Sequence, residues 1–237
     1  QWYRWLCLTP TARAFFLCPT KRISMEFISN ALYDYVVAHS QEEPPLLADL
    51  TRQTHLKVLQ PRMLSGPLQG RFLSVLTKLL QPKKILEVGT FTGYATLCLA
   101  EGLPKDGLID TLDKNEELVD FQRSFFDRSP WGKQIHQHCG DAIEIIPTLE
   151  GEYDLVFLDA DKKNYLNYLE LLFPKIKPGG LLLSDNVLWS GKVLEETQKN
   201  DRDTAVLKEF NQKLATHPNF ETVLLPLRDG LTLSRKI

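Results

Sequence analysis

The stretch KILEVGTFTGY, residues 84–94, decides how the chain is read. Ile85, Leu86 and Val88 form a short apolar run behind Lys83 and Lys84, which suits a buried parallel strand. Gly89 and Gly93 punctuate a turn into the apolar segment 95–100, which reads as a helix. A strand, a glycine turn and a helix set backbone N–H groups where a ligand can meet them. Gly89 lets that ligand approach the main chain closely. The spacing Gly89-x-x-x-Gly93 matches neither the dinucleotide fingerprint nor the phosphate loop ending in Lys-Ser/Thr. It therefore favours a cofactor without a pyrophosphate, while a turn that binds nothing stays open from this stretch alone.

Downstream, apolar runs alternate with helical stripes. Strands are expected at 107–112 running into Asp113, at 133–138, at 154–158 running into Asp159, and from Gly179 and Gly180 to Asp185 and Asn186. Helices are expected at 116–128, 141–149, 162–173 and 201–216. Right-handed crossovers would join the strands into a parallel sheet. The end differs in kind: 220–227 and 231–234 read as strands joined across Arg228, Asp229 and Gly230, and Asp-Gly is a strong hairpin signal.

Upstream, Phe27, Ile28, Ala31, Leu32, Tyr35, Val36 and Ala38 make a helical stripe over 25–38. Pro44 and Pro45 suit the start of a helix over 44–58, with a break near Thr54 and His55. A third helix is expected over 68–80, with Pro67 in its first turn. Residues 25–80 thus read as a helical cap on an α/β core at 81–237, the two forming one domain. Residues 1–24 stand apart, with Trp2, Trp5, Phe15 and Phe16, four basic residues and no acid. They read as a basic aromatic extension ahead of Met25, with a targeting segment or a packing arm as the other readings.

A formal net charge of -2 gives no global field for nucleic acid. No apolar run reaches 18 residues, so no transmembrane helix is expected. Cys7, Cys18, Cys98 and Cys139 include no close pair, and Cys98 and Cys139 fall in expected core elements. Reduced thiols and a cytoplasmic location follow as expectations.

Ligands of open parallel sheets bind beyond the carboxyl ends of the strands. Asp113, Asp159 and Asp185 sit at such ends, and Asn186 follows directly. Asp113 lies 24 residues after Gly89, placed to bind ribose hydroxyls or to cap the helix opening at Lys114. Asp141, in HCGDA, suits a cap and can also flank a nucleoside base. Asp159, Asp185 and Asn186 offer three oxygens to a hard cation, against a plainer role in turns. His136 and His138 complete no zinc pattern. Lys162, three residues after Asp159, is either a base or a solvated charge.

Four motifs then carry a family resemblance: EVGTFTGY at 87–94, LDADKKNY at 158–165, SDNVLWSGKV at 184–193 and LLPLRDGLTLSRK at 224–236. Over roughly 30–237 the chain resembles the class I S-adenosylmethionine-dependent methyltransferases, specifically the catechol and caffeoyl-CoA O-methyltransferase family. The bacterial cation-dependent branch looks most similar. The resemblance implies a Rossmann-like fold with a mostly parallel seven-stranded sheet, order 3-2-1-4-5-7-6, strand 7 antiparallel.

The same resemblance implies a set of site residues. Met63 and Ser65 belong to a segment closing over the methionine part of the cofactor. Glu87, Gly89, Phe91, Tyr94 and Ala95 form the floor. Asp113 binds the ribose, and Gly140, Asp141 and Ala142 line the adenine. Asp159, Asp185 and Asn186 hold Mg²⁺, with Mn²⁺ or Ca²⁺ as alternatives, and Asp159 also borders the cofactor. Lys162 is the catalytic lysine, and Trp189 borders the acceptor pocket beside Lys162 and Asn186. Two departures matter. Ala95 replaces a common serine, so Tyr94 or a water would compensate. Lys208 stands where several members have arginine, which counts against coenzyme A thioesters.

The implied function is cation-dependent methyl transfer to a catechol-like vicinal diphenol, by a homodimer. The alternatives are another acceptor, such as a flavonoid or a caffeoyl-CoA-type ester, and a non-catalytic nucleoside-binding relative. An RNA methyltransferase would need a basic groove and stacking aromatics.

Overall fold

Strand β1, Lys84–Val88, forms where the apolar run predicts it and occupies the middle of the sheet. The structure is a computed structural model that describes residues 28–237, so the extension at 1–24 lies outside the described residues. After β1 come α4 (Tyr94–Ala100), β2 (Leu108–Asp113), α5 (Val119–Phe126), β3 (Ile135–Cys139) and α6 (Ala142–Thr148). Then follow β4 (Tyr153–Leu158), α7 (Tyr165–Leu172), β5 (Ile176–Asp185), α8 (Arg202–Ala215), β6 (Phe220–Leu225) and β7 (Leu231–Lys236). Among the described residues, three helices precede the sheet: α1 (Asn30–Ala38), α2 (Pro45–Lys57) and α3 (Gly66–Leu80). The strand order is β3-β2-β1-β4-β5-β7-β6, with β7 antiparallel to both neighbours, as the resemblance implies.

Alternation along the strands explains the layers. Ile85 of β1 packs into a cluster with Leu73 of α3 and Leu97 of α4. Leu86 and Val88 pack on the opposite face with Leu169 of α7 and Phe210 of α8. Both faces are covered, which is why β1 reads as a run rather than an alternation. Each fully buried leucine or valine contributes roughly 1.5–3 kcal/mol, so this centre is a firm base for strained turns above it.

Several expectations need correction. Helix α2 runs unbroken through Thr54 and His55, because Thr54 is buried with its hydroxyl on Thr92 and His55 bonds back to the Thr51 carbonyl. Strand β5 begins at Ile176, ahead of the two glycines that were expected to open it. Cys139 is exposed at the end of β3, whereas Cys98 is buried; both are free thiols. Among the described residues, no helix is long and apolar enough to cross a membrane.

Candidate active site at the strand ends

Register assembles the site. Val88 of β1 lies opposite Leu112 of β2 and Leu158 of β4, and Leu158 lies opposite Ser184 of β5. The next residue on each strand is therefore Gly89, Asp113, Asp159 and Asp185, four neighbours along one rim. The Gly89 and Thr90 amides donate to the Leu112 carbonyl, at 2.9 and 3.2 Å, and the Asp159 amide donates to Val88 at 2.8 Å. Gly89 has φ +106, and a Cβ there would lie 2.1 Å from the Asp159 carbonyl oxygen. Only glycine tolerates both conditions.

Phe91 also lies in the left-handed region, at φ 49, which is rare for a bulky residue. Two bonds hold it there. Its amide donates to Asp113 Oδ2 at 2.7 Å, and its carbonyl accepts from Gln122 Nε2 at 2.6 Å. The turn bounds a cleft of about 230 Å³ lined by Met63, Leu64, Ser65, Gly89, Thr90, Phe91, Tyr94, Ala95 and Asp159. Seven of the expected cofactor residues thus meet in one place.

Glu87 lies beneath the floor and is fully buried. Its Oε2 accepts from the hydroxyls of Thr96 and Thr111, the latter at 2.5 Å, while Oε1 has no partner. Burial pushes its carboxyl up to about 8, against the two hydroxyl bonds that favour the anion. Because the folded value is raised, this group's contribution is complete below pH 4.5 and is lost as pH rises through about 8. Between pH 6 and 8, unfolding free energy from urea titrations should therefore fall by about 1 kcal/mol per pH unit more in the wild type than in Glu87→Gln. Equal slopes would show that Glu87 is ionised in the fold.

The plainer roles of two acids go to other residues. Asn115, not Asp113, caps the turn after β2, its side chain accepting from the Glu117 amide at 3.1 Å. Asp113 instead serves Phe91 and the Asn115 amide. Asp161, not Asp159, stands at the start of the turn leading into α7 and accepts from Asn164 and Tyr168. Asp141 does cap α6, accepting from the Ile143 amide at 2.9 Å. Gly140, Asp141 and Ala142 sit at the end of β3, where Gly140 donates to the Asp113 carbonyl. The Tyr94 hydroxyl donates to Glu43 at 2.7 Å, so its proton is already engaged there.

At the β4 and β5 ends, Lys162 Nζ contacts Asp159 Oδ1 at 3.0 Å and the Tyr165 hydroxyl at 2.6 Å. That hydroxyl donates in turn to the Asp185 carbonyl at 2.8 Å. Asp185 is buried, and Gln69 Nε2 and the Asn186 amide donate to its two oxygens at 2.6 and 2.8 Å. Burial first, then repulsion from Asp159, pushes its carboxyl up to about 6. Asn186 takes the left-handed conformation at φ 57, which asparagine tolerates. Among the described residues, no group of three or more His, Cys, Asp or Glu side chains is arranged to hold a metal. Two carboxylates and an amide oxygen nonetheless fit a hard cation that takes few protein ligands and keeps its waters. Trp189 is half-buried against the core face shared by α7 and α8.

The sequence reading misses residues that hold these parts together. Arg228 Nη1 donates to the Ser65 carbonyl and, at 3.2 Å, to Gln69 Oε1, and Nη2 donates to the Leu64 carbonyl at 3.0 Å. Asp229 accepts from the Ser190 amide. The Arg-Asp-Gly turn was legible as a turn; its placement between two walls of the site was not.

A seven-stranded sheet with antiparallel β7 and a cleft between the first glycine turn and β4 defines a class I, S-adenosylmethionine-dependent methyltransferase. The O-methyltransferase family model matches residues 37–237. The chain belongs to the O-methyltransferase family. Caffeoyl-CoA O-methyltransferase 2 of Petunia hybrida is 36% identical over 224 residues, 88% of this chain and 91% of that protein. The caffeoyl-CoA O-methyltransferase of Petroselinum crispum is 34% identical over 88% of this chain and 92% of its own length. Among solved structures, the O-methyltransferase from Bacillus cereus in complex with SAH has a TM-score of 0.81 at 27% identity. That match covers 87% of this chain and 97% of the other.

Proposed function

We propose that this enzyme transfers the methyl group of S-adenosylmethionine to a hydroxyl of a small phenolic acceptor in a cation-dependent reaction, with a caffeoyl-CoA-type ester as the favoured acceptor. The observation that carries the cation and its chemistry is the register-driven pairing of Asp159 with Asp185 beside Lys162. The acceptor follows the plant relatives, whose similarity spans nearly their whole length. It stands ahead of the free catechol implied by the sequence motifs. Lys208, which departs from the arginine of several members, donates its ammonium to the Glu195 carbonyl and braces the loop after β5.

In this reading Met63, Ser65, Gly89, Phe91 and Ala95 bind the amino-acid end of the cofactor. Glu87 supports that floor, Tyr94 lines it, Asp113 takes the ribose, and Gly140, Asp141 and Ala142 flank the adenine. S-adenosylmethionine supplies an electrophilic methyl on a sulfonium. Asp159, Asp185 and Asn186 would hold Mg²⁺, or Mn²⁺ or Ca²⁺ in its place, and such a cation favours the phenolate of a bound vicinal diphenol. Lys162, fixed between a carboxylate and a phenol oxygen, takes the acceptor's proton as the neutral amine, after its ammonium has released one to solvent. Trp189 borders the acceptor. Residues 25–237 act as one domain, and the exposed Leu32 and Tyr35 on α1, with Val75 and Leu79 on α3, support a homodimer.

The test is methyl transfer measured side by side on caffeoyl-CoA and on catechol, with Mg²⁺ and with excess chelator. Caffeoyl-CoA should show the higher kcat/KM by about tenfold, equivalent to about 1.4 kcal/mol, and chelator should abolish both rates. Turnover that survives chelation would remove the cation from the proposal. Preference for catechol would restore the simpler acceptor.

A further inference from the structure

A single side-chain chain crosses the site from its cover to its acids. Arg228 occupies the turn between β6 and β7 with φ 50 and sends both guanidinium nitrogens to the carbonyls of Leu64 and Ser65. Those residues line the cleft opposite Gly89. The same guanidinium reaches Gln69 Oε1, and Gln69 Nε2 reaches Asp185 Oδ2. Arginine only donates, so the amide of Gln69 must turn its oxygen to Arg228 and its nitrogen to the carboxylate. Gln69 and Asp185 are both buried, so neither has water as a substitute partner. The adjacent Asp229 holds the Ser190 amide, and Gly230 packs against Leu188 so closely that a Cβ would lie 2.4 Å from its side chain. The turn is therefore fixed from its other side as well and acts as a rigid anchor.

We propose that Arg228 and Gln69 are positioning residues that link the seating of the Leu64 and Ser65 segment over the cleft to the orientation of the Asp185 carboxylate. The inference rests on the cofactor and cation sites proposed above. Arg228 serves both sites, whereas Gln69 serves the carboxylate. Whatever effect binding at one end of the chain has on the other is returned equally, as linkage between two sites requires.

Three readouts separate the roles without turnover: calorimetric binding of S-adenosylhomocysteine in cation-free buffer, Mn²⁺ binding by electron paramagnetic resonance, and the rate of tryptic cleavage after the exposed Arg62. Arg228→Met should weaken S-adenosylhomocysteine and Mn²⁺ by about tenfold each and speed cleavage, the scale on which outer partners of metal ligands act. Gln69→Leu should weaken Mn²⁺ by about tenfold while cation-free S-adenosylhomocysteine affinity stays within about threefold. Arg228→Lys, which keeps the charge but lacks the fork, should fall between wild type and Arg228→Met and covers the case in which Arg228→Met folds poorly. Wild-type Mn²⁺ affinity in Gln69→Leu, or wild-type cofactor affinity and cleavage in Arg228→Met, would overturn the linkage. A wild-type protein that binds neither probe would instead overturn the functional reading on which the linkage rests.

Discussion

Asp159→Ala is expected to lower methyl transfer by about three orders of magnitude, equivalent to about 4 kcal/mol of barrier, while S-adenosylhomocysteine still binds within about threefold. The Asp159 carboxylate contacts Lys162 at 3.0 Å and stands beside Asp185, so the substitution removes a proposed cation ligand and releases the proposed base together. Two effects on stability oppose one another. Lys162 loses its ion-pair partner in a buried setting, which is unfavourable. Asp185 loses the neighbour whose charge opposes its ionisation, which is favourable. The thermal midpoint should therefore move little. The helix start is no liability either, since Asp161 stands at the head of the turn into α7. Rates, binding and melting on the same preparation decide the matter. A variant that melts far earlier but retains its rate per folded molecule would make Asp159 structural.

The second large effect is on folding. Gly89→Ala should destabilise the protein by about 3 kcal/mol or more, combining backbone strain of about 1–3 kcal/mol with overpacking of about 1–3 kcal/mol. For a chain of this size that lowers the midpoint by about 10 °C. The added methyl would meet the Asp159 carbonyl oxygen at 2.1 Å. That carbonyl belongs to a strand end and cannot swing aside as a side chain would. Gly179→Ala is the matched control. Its φ of +78 carries similar strain, yet nothing lies within 4 Å of the new methyl. It should cost only about 1 kcal/mol. Equal losses in the two variants would mean that the clash is relieved and that dihedral strain alone sets the cost.

The centre of the sheet was legible because its signals are local. Ile85, Leu86 and Val88 announce β1 by apolarity, and Gly89 by its place after them. The hairpin at Asp229 and Gly230 and the cap at Asp141 are likewise short-range chemistry. The sheet order came from motif resemblance, since alternation of strands and helices is compatible with several orders. Other features were hidden because their partners are remote in sequence. Gln69 meets Asp185 across 116 residues and Arg228 meets Ser65 across 163. Neither glutamine on a helix nor arginine in a turn carries a pattern that foretells such a contact. The capping roles weighed as alternatives for Asp113 and Asp159 fall two residues further on, at Asn115 and Asp161, because acids and amides close together compete for one role and only the backbone path selects the winner.

Phe91 has a consequence for how ligands arrive. Its peptide is fastened at the nitrogen by Asp113 and at the oxygen by Gln122, and Gln122 is itself steadied by Gln137. The loop's shape is thus settled when the protein folds, before any nucleoside appears. Little ordering entropy then remains to oppose association, so amide exchange in this loop should be slow already in the ligand-free enzyme. Asp113 is meanwhile committed on both oxygens, so the ribose proposed for it would share that carboxylate with the main chain rather than find it idle.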